Sequence, residues 1–128
     1  MGKQPSVDQT AKRDAGKAQL RLVPSQIIYD IARIREYGNA KYGDPENWRT
    51  VSVERYRDAA YRHFLAYLSD PYGIDSESGF PHLWHCCCNM AFLAELEHRR
   101  IVKAMKARKR KHRKGKHKKR RKGDGNVV

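Results

Sequence analysis

The tetrapeptide Asp70-Pro71-Tyr72-Gly73 constrains this chain more than any other stretch. Pro71 cannot sit inside a helix, and Gly73 accepts the backbone turn that has to follow. Before it, Val53, Tyr56, Ala60, Phe64, Tyr67 and Leu68 recur at helical spacing, with Thr50 or Ser52 placed to cap the run from Val53 to Ser69. After it, Pro81 suits a first helical turn. Leu83, Met90, Leu93, Leu96 and Ile101 then carry a second periodic run past Val102. A short connection between two such runs makes the helices antiparallel neighbours.

Upstream, Pro24-Ser25 offers a helix start. Ile27, Ile28, Ile31 and Ile34 form an apolar stripe at i, i+1, i+4 and i+7. That helix can end at Gly38-Asn39 or run on to Tyr42-Gly43, and Asp44-Pro45-Glu46-Asn47 is turn chemistry. No stretch alternates with period two. The expected fold is therefore all-α, a small bundle of three to four helices over residues 23–102. A disordered N-terminal arm is expected over 1–22 and a basic, disordered tail over 103–128. Aromatic-rich helix faces on so small a core predict a homo-oligomer.

The net charge of +14 suggests a polyanion partner until it is located along the chain. Residues 1–102 hold 14 Lys/Arg against 13 Asp/Glu, and residues 103–128 hold 14 against one. The basicity belongs to the tail. Like-charge repulsion at i, i+4 and the glycines there argue against a helix continuing through it. It is expected to bind nucleic acid with strong salt dependence, and it lacks aromatics for base stacking.

The cysteines, Cys86, Cys87 and Cys88, are adjacent. They have no distant partners for a disulfide framework and no CxxC spacing for zinc, so they read as packing residues in a reducing interior. The opening MGKQPSVDQTAKRDAGK has no apolar segment of the kind a secretory signal uses. No run approaches a membrane span, so no membrane partner is expected.

The chemistry gathers between Arg62 and Asn89. His82 and His85, three apart, share a face near the start of the third helix, and Cys86 and Asn89 extend it. Two imidazoles at that spacing are half of a metal site that needs carboxylates from elsewhere. The preceding loop supplies Asp75 and Glu77, which could equally cap the helix. His63 lies mid-helix on the side facing this hairpin, as a ligand or as a satisfied core histidine. Arg62 could fork onto a phosphate or pair with Asp58. Lys41, Tyr42, Asn47 and Trp48 form a polar-aromatic knot able to touch a phosphate and a base, or simply a turn tied down by its Trp. Glu36 is a further helical carboxylate.

In order, EYGNAKYGDPENW (36–48), RYRDAAYRHFLAYL (55–68) and DSESGFPHLWHCCCNMAFLAELE (75–97) resemble the phage dATP/dGTP diphosphohydrolase N-terminal domain family. The resemblance rests on Lys41-Tyr42-Gly43, Asn47-Trp48, Arg62-His63, Asp75 to Gly79, His82, His85 and Asn89. It implies an all-α, nucleotide pyrophosphohydrolase-like enzyme. Such an enzyme would convert a purine dNTP to dNMP and pyrophosphate in the cytoplasm of a phage-infected cell. The ExxE…ExxD signature of MazG-type relatives is absent.

The residues and the resemblance together predict a divalent metal (Mg²⁺, Mn²⁺ or Co²⁺) held by a subset of His63, Asp75, Glu77, His82, His85 and Glu36. His63, Asp75, Glu77 and Arg62 are expected at the reaction itself, with a carboxylate or histidine taking the proton of water. Lys41, Tyr42, Asn47, Trp48 and Asn89 are expected on the substrate side. The rival expectation is a nucleic-acid-binding accessory protein with a structural helical domain.

Overall fold

A computed structural model describes residue 13 and residues 15–124, with side chains through residue 119. Most of the expected N-terminal arm lies outside those residues. What is described of it ends in a 3-10 turn at Leu20–Leu22 whose apolar side chains are exposed. Three α-helices follow: α1 (Gln26–Tyr42), α2 (Val53–Ser69) and α3 (His82–Asp124). A 3-10 turn at Asn47–Thr50 links the first two. The described residues contain no strand, only an isolated antiparallel bridge between Ile74 and Pro81. The fold is a small all-α bundle.

Of the two possible ends for the first helix, the chain takes the later one. Gly43 adopts φ 77° and its N–H reaches back to the Asn39 carbonyl at 2.8 Å. This left-handed cap costs glycine nothing and would strain any residue with a Cβ. Ser25 and Ser52 sit at the caps of α1 and α2, but neither side chain makes the capping hydrogen bond.

The antiparallel hairpin of α2 and α3 shows in its pairs: Arg57 with Glu97 at 2.5 Å, Tyr56 with Phe92, and His63 with His85 and His82. α1 packs across α3. The core where the helices meet is thin: Ile34 from α1, Tyr56 and Ala60 from α2, and Cys88 from α3. Half-buried Phe92 and Trp48 extend it, their rings stacked with centroids 4.7 Å apart. The Tyr56 hydroxyl donates to the Trp48 carbonyl at 2.5 Å. Burial of Cys88 raises its thiol pKa to about 11, which fits a packing role.

The apolar stripes overshoot this core. Ile27 and Ile28 of α1 are exposed, as are Phe64 and Leu68 of α2. Together with Tyr61 and Leu65, the last two form an i, i+3, i+4, i+7 stripe that no described residue covers. On α3 the expected stripe is offset from the buried face: Leu83, Met90 and Ile101 are exposed, while Cys88 and Phe92 meet the other helices.

The basic segment departs from expectation. α3 continues unbroken through Lys103 to Asp124, and every residue from 103 to 119 is exposed. A helix growing from an already packed helix needs no new nucleus, so each added residue gains a hydrogen bond without the nucleation cost. Ala104, Ala107 and the many Lys and Arg are good helix formers, and cations suit the C-terminal end of the helix dipole. No helix among the described residues is long and apolar enough to cross a membrane.

Candidate active site

The loop between α2 and α3 is built to present side chains inward. Asp70 ends α2, and its carbonyl accepts the Gly73 N–H at 2.9 Å. The Asp75 N–H then bonds the Phe80 carbonyl, while the Gly79 N–H returns to the Asp75 carbonyl at 2.8 Å. Gly79 makes that turn at φ 77°, in the left-handed region. The His82 N–H bonds the Gly73 carbonyl at 3.1 Å, so the first residue of α3 is pinned to the start of the loop.

This frame brings three of the expected ligands together. Ligand atoms of His63, Asp75 and His82 all lie within 4.8 Å of one another. The closest pair is His63 Nδ1 and His82 Nδ1, 2.9 Å apart. Two imidazole nitrogens each about 2.1 Å from one ion would stand roughly 3.0–3.4 Å apart, so the pair already has nearly the spacing that shared coordination requires. Two nitrogens and one carboxylate oxygen suit Mn²⁺, Co²⁺ or Zn²⁺ better than Mg²⁺, which favours oxygen alone.

His85 stacks on His63 at 4.6 Å with an interplanar angle of 13°. Its Nε2 meets the Ser78 hydroxyl at 2.6 Å and stands 3.8 Å from Asp75 Oδ2. Burial pushes the pKa of His63 down, and the neighbouring His85 and His82 push it further. Burial also lowers that of His85, against the partial opposition of Asp75. Asp75 itself is pushed up by burial, but bonds from the Ser78 N–H and hydroxyl, with His85 and His63, bring it below the ordinary value. These shifts favour the neutral imidazole at His63 and His85 and the ionised carboxylate at Asp75, the states in which each type of group can ligate a metal.

The remaining expected residues lie outside the His63–Asp75–His82 cluster. Glu77 is bound by Lys41, whose ammonium lowers the Glu77 pKa and is itself raised by the contact. That exposed ion pair ties the end of α1 to the loop and takes Glu77 away from the His63–His82 centre. Glu36 pairs with Arg33 on the exposed side of α1 at 3.2 Å and lies outside the cluster. The Asn89 amide donates to the His85 carbonyl at 2.8 Å. The Trp48 ring, stacked on Phe92, also has the Arg49 guanidinium 4.4 Å from its centroid, so it serves the wall first. Arg62 makes no ion pair with Asp58.

A cleft of about 550 Å³ leads from this cluster between α1, α2 and α3. Lys41, Tyr42, Asn47, Trp48, Arg62 and Asn89 all border it, as do His63, His85, Asp75 and Glu77, whereas His82 does not. Three residues emerge only from the fold, Arg35, Tyr37 and Arg55 on the cleft walls, and Ser78, within the Asp75 to Gly79 motif, gains a contact with His85. Arg35 lies 5.2 Å from the Phe92 ring centroid and donates to the Pro45 carbonyl. Arg35, Arg55 and Arg62 form no ion pair among the described residues. In sequence Arg35 was visible only as the position after Ile34, one step off the apolar stripe.

Fold and site together define a small helical-bundle protein with a histidine–carboxylate cluster bordering an arginine-lined cleft. The chain belongs to the family described as dATP/dGTP diphosphohydrolase, N-terminal, whose model matches residues 7–108. A protein of Salmonella phage PMBT28 named dATP/dGTP diphosphohydrolase is 35% identical over 82 residues. That match covers 64% of this chain but only 28% of the phage protein, so the chain spans little more than a quarter of its relative's length. No solved structure matches the chain.

Proposed function

We propose that the chain carries the catalytic centre for hydrolysis of a purine deoxynucleoside triphosphate, dATP or dGTP, to dNMP and pyrophosphate. The observation that carries this reading is the convergence of His63, Asp75 and His82, the first two of which also line a cationic cleft, in a chain of this family. His63, Asp75 and His82 would hold a divalent cation, Mn²⁺ or Co²⁺ by their donor set. Such an ion supplies Lewis acidity toward a phosphoryl oxygen and lowers the pKa of water.

The chain's own residues divide the remaining work. Water oxygen attacks the α-phosphorus, and the bond from that phosphorus to the bridging oxygen of the β-phosphate breaks. His85, held neutral by burial and oriented through Nε2 by the Ser78 hydroxyl, takes the water proton at its other ring nitrogen, Nδ1, and Asp75 near Nε2 stabilises the resulting imidazolium. Arg35, Arg55 and Arg62 neutralise phosphate oxygens as charge moves onto the leaving pyrophosphate. Tyr42, largely exposed at the cleft margin, offers a face to the base. The Lys41–Glu77 pair holds α1 against the loop and so fixes the cleft width. The uncovered α2 stripe is read as the surface through which copies of the chain associate.

The test is incubation of purified protein with dATP and dGTP and each of Mg²⁺, Mn²⁺ and Co²⁺, with products resolved by ion-exchange chromatography. Formation of dNMP and pyrophosphate in equal amounts is expected. Absence of both with every metal overturns the reading.

A further inference from the structure

The extension of α3 beyond the bundle has no role in the cleft, yet its geometry is specific. From Lys103 to Asp124 it runs for 22 residues as continuous helix, about 33 Å at 1.5 Å per residue. Its residues from 103 to 119 include 11 Lys or Arg and no Asp or Glu, and all are exposed. At about 100° per residue these cations are distributed all round the helix, and no arc wider than about 60° lacks one.

That distribution decides between partners. A helix lying on a membrane needs an apolar sector of at least about 100° opposite its charged face, and this helix has none. Single strands are gripped by aromatic stacking, and residues 103–119 contain no Phe, Tyr or Trp. A cationic cylinder charged on every side matches a partner that presents phosphates on both flanks at once. The major groove of B-form DNA does so and is about 12 Å wide, enough to admit an α-helix, whereas the deep, narrow major groove of A-form RNA is not. The length also fits: about 33 Å is close to one turn of the duplex. Relief of the i, i+4 repulsion along pairs such as Lys106–Arg110 and Arg110–Lys114 would add to the gain on binding.

We propose that residues 103–124 form a sequence-independent helical probe for the major groove of duplex DNA. Because this helix is continuous with the one bearing His82 and His85, it docks the domain on DNA as a rigid arm.

The test uses the full chain and two charge-neutralised variants on opposite sides of the helix, K103Q/R110Q/K114Q/K118Q and R108Q/K109Q/K116Q/K119Q. Binding to a ~24-base-pair DNA duplex is followed by fluorescence anisotropy across a salt series. The parent chain is expected to show a log–log salt slope near −5, as for about six neutralised phosphates. Both variants should lose about 2–3 from that slope and bind at least tenfold more weakly at about 100 mM salt. An unchanged thermal unfolding midpoint shows that the bundle is intact, as expected for side chains that are all exposed. The proposal is overturned by equal or tighter binding to duplex RNA, to single strands or to phosphatidylserine vesicles. It is equally overturned if only one variant weakens binding, because a flat surface would be read by one side alone.

Discussion

His63 Nδ1 and His82 Nδ1 face each other at 2.9 Å across the hairpin of α2 and α3, with the Asp75 carboxylate completing the triangle. Without a metal, one nitrogen must carry the proton and the other accept it. In the proposed metal-bound state both nitrogens would act as ligands. Removing either imidazole should therefore abolish binding. His82→Ala and Asp75→Asn are expected to eliminate the Mn²⁺ or Co²⁺ isotherm in calorimetry and to cut hydrolysis by more than about 100-fold, since even partners outside the ligand set cost 10–100-fold. A His82→Ala protein that binds metal as tightly as the parent would remove this site from consideration.

Protons compete with the metal for the same nitrogens. The folded-state pKa values of His63 and His85 lie below the ordinary histidine value, chiefly through burial. The unfolded chain therefore takes up protons first as pH falls. The stability contributed by these neutral imidazoles is complete above about pH 6.5 and is lost as pH falls through the lowered folded values. The metal-free protein should melt at a lower temperature at about pH 5.5 than at about pH 7.5, and Mn²⁺ affinity should fall over the same interval. A melting temperature that rises on acidification contradicts the buried, neutral cluster.

The arginines have a separable signature. Arg35, Arg55 and Arg62 line the cleft and do not belong to the His63, Asp75 and His82 cluster. Single alanine substitutions are expected to leave metal binding intact and to lower kcat/KM for dATP about 10- to 100-fold, the range for losing one charge-assisted hydrogen bond. Steady-state kinetics beside metal calorimetry would show it, and loss of metal affinity in these variants would point instead to collapse of the cleft.

Trp48 and Phe92 hold the cleft wall by stacking on each other. Phe92→Ala should lower stability by roughly 2–4 kcal/mol, somewhat less than for a fully buried aromatic. It should also increase the exposure of Trp48, visible as a red-shifted tryptophan emission that Trp84 alone does not explain. An unshifted spectrum and an unchanged denaturation midpoint would show that the stack contributes little.

The uncovered stripe of Tyr61, Phe64, Leu65 and Leu68 predicts self-association. Light scattering on the eluting peak should give a mass above 14.9 kDa for the parent and a shift toward that mass for L65K/L68K. A parent chain that stays at one copy across micromolar concentrations would show that the stripe faces solvent.

Local sequence was enough to fix the class of fold and the hairpin, because both rest on short-range rules. The i, i+3, i+4 recurrence of apolar residues and the break at Asp70-Pro71-Tyr72-Gly73 dictate where α2 ends and which way α3 returns. The types and spacing of His63, Asp75, His82 and His85 likewise made a histidine–carboxylate hairpin legible. Sequence alone could not decide which carboxylate belongs to the cluster. Asp75 and Glu77 are equivalent in the chain, and they separate only because Lys41, 36 positions from Glu77, arrives from α1 to bind it. The same long-range packing brought Arg35 and Arg55 into the cleft and engaged the Trp48 ring with Phe92, whereas Glu36 simply pairs with Arg33 one turn earlier on its own helix. Continuation of α3 through the basic segment was also a tertiary outcome: repulsion between local charges argued against it, and a helix already nucleated against α2 carries it through.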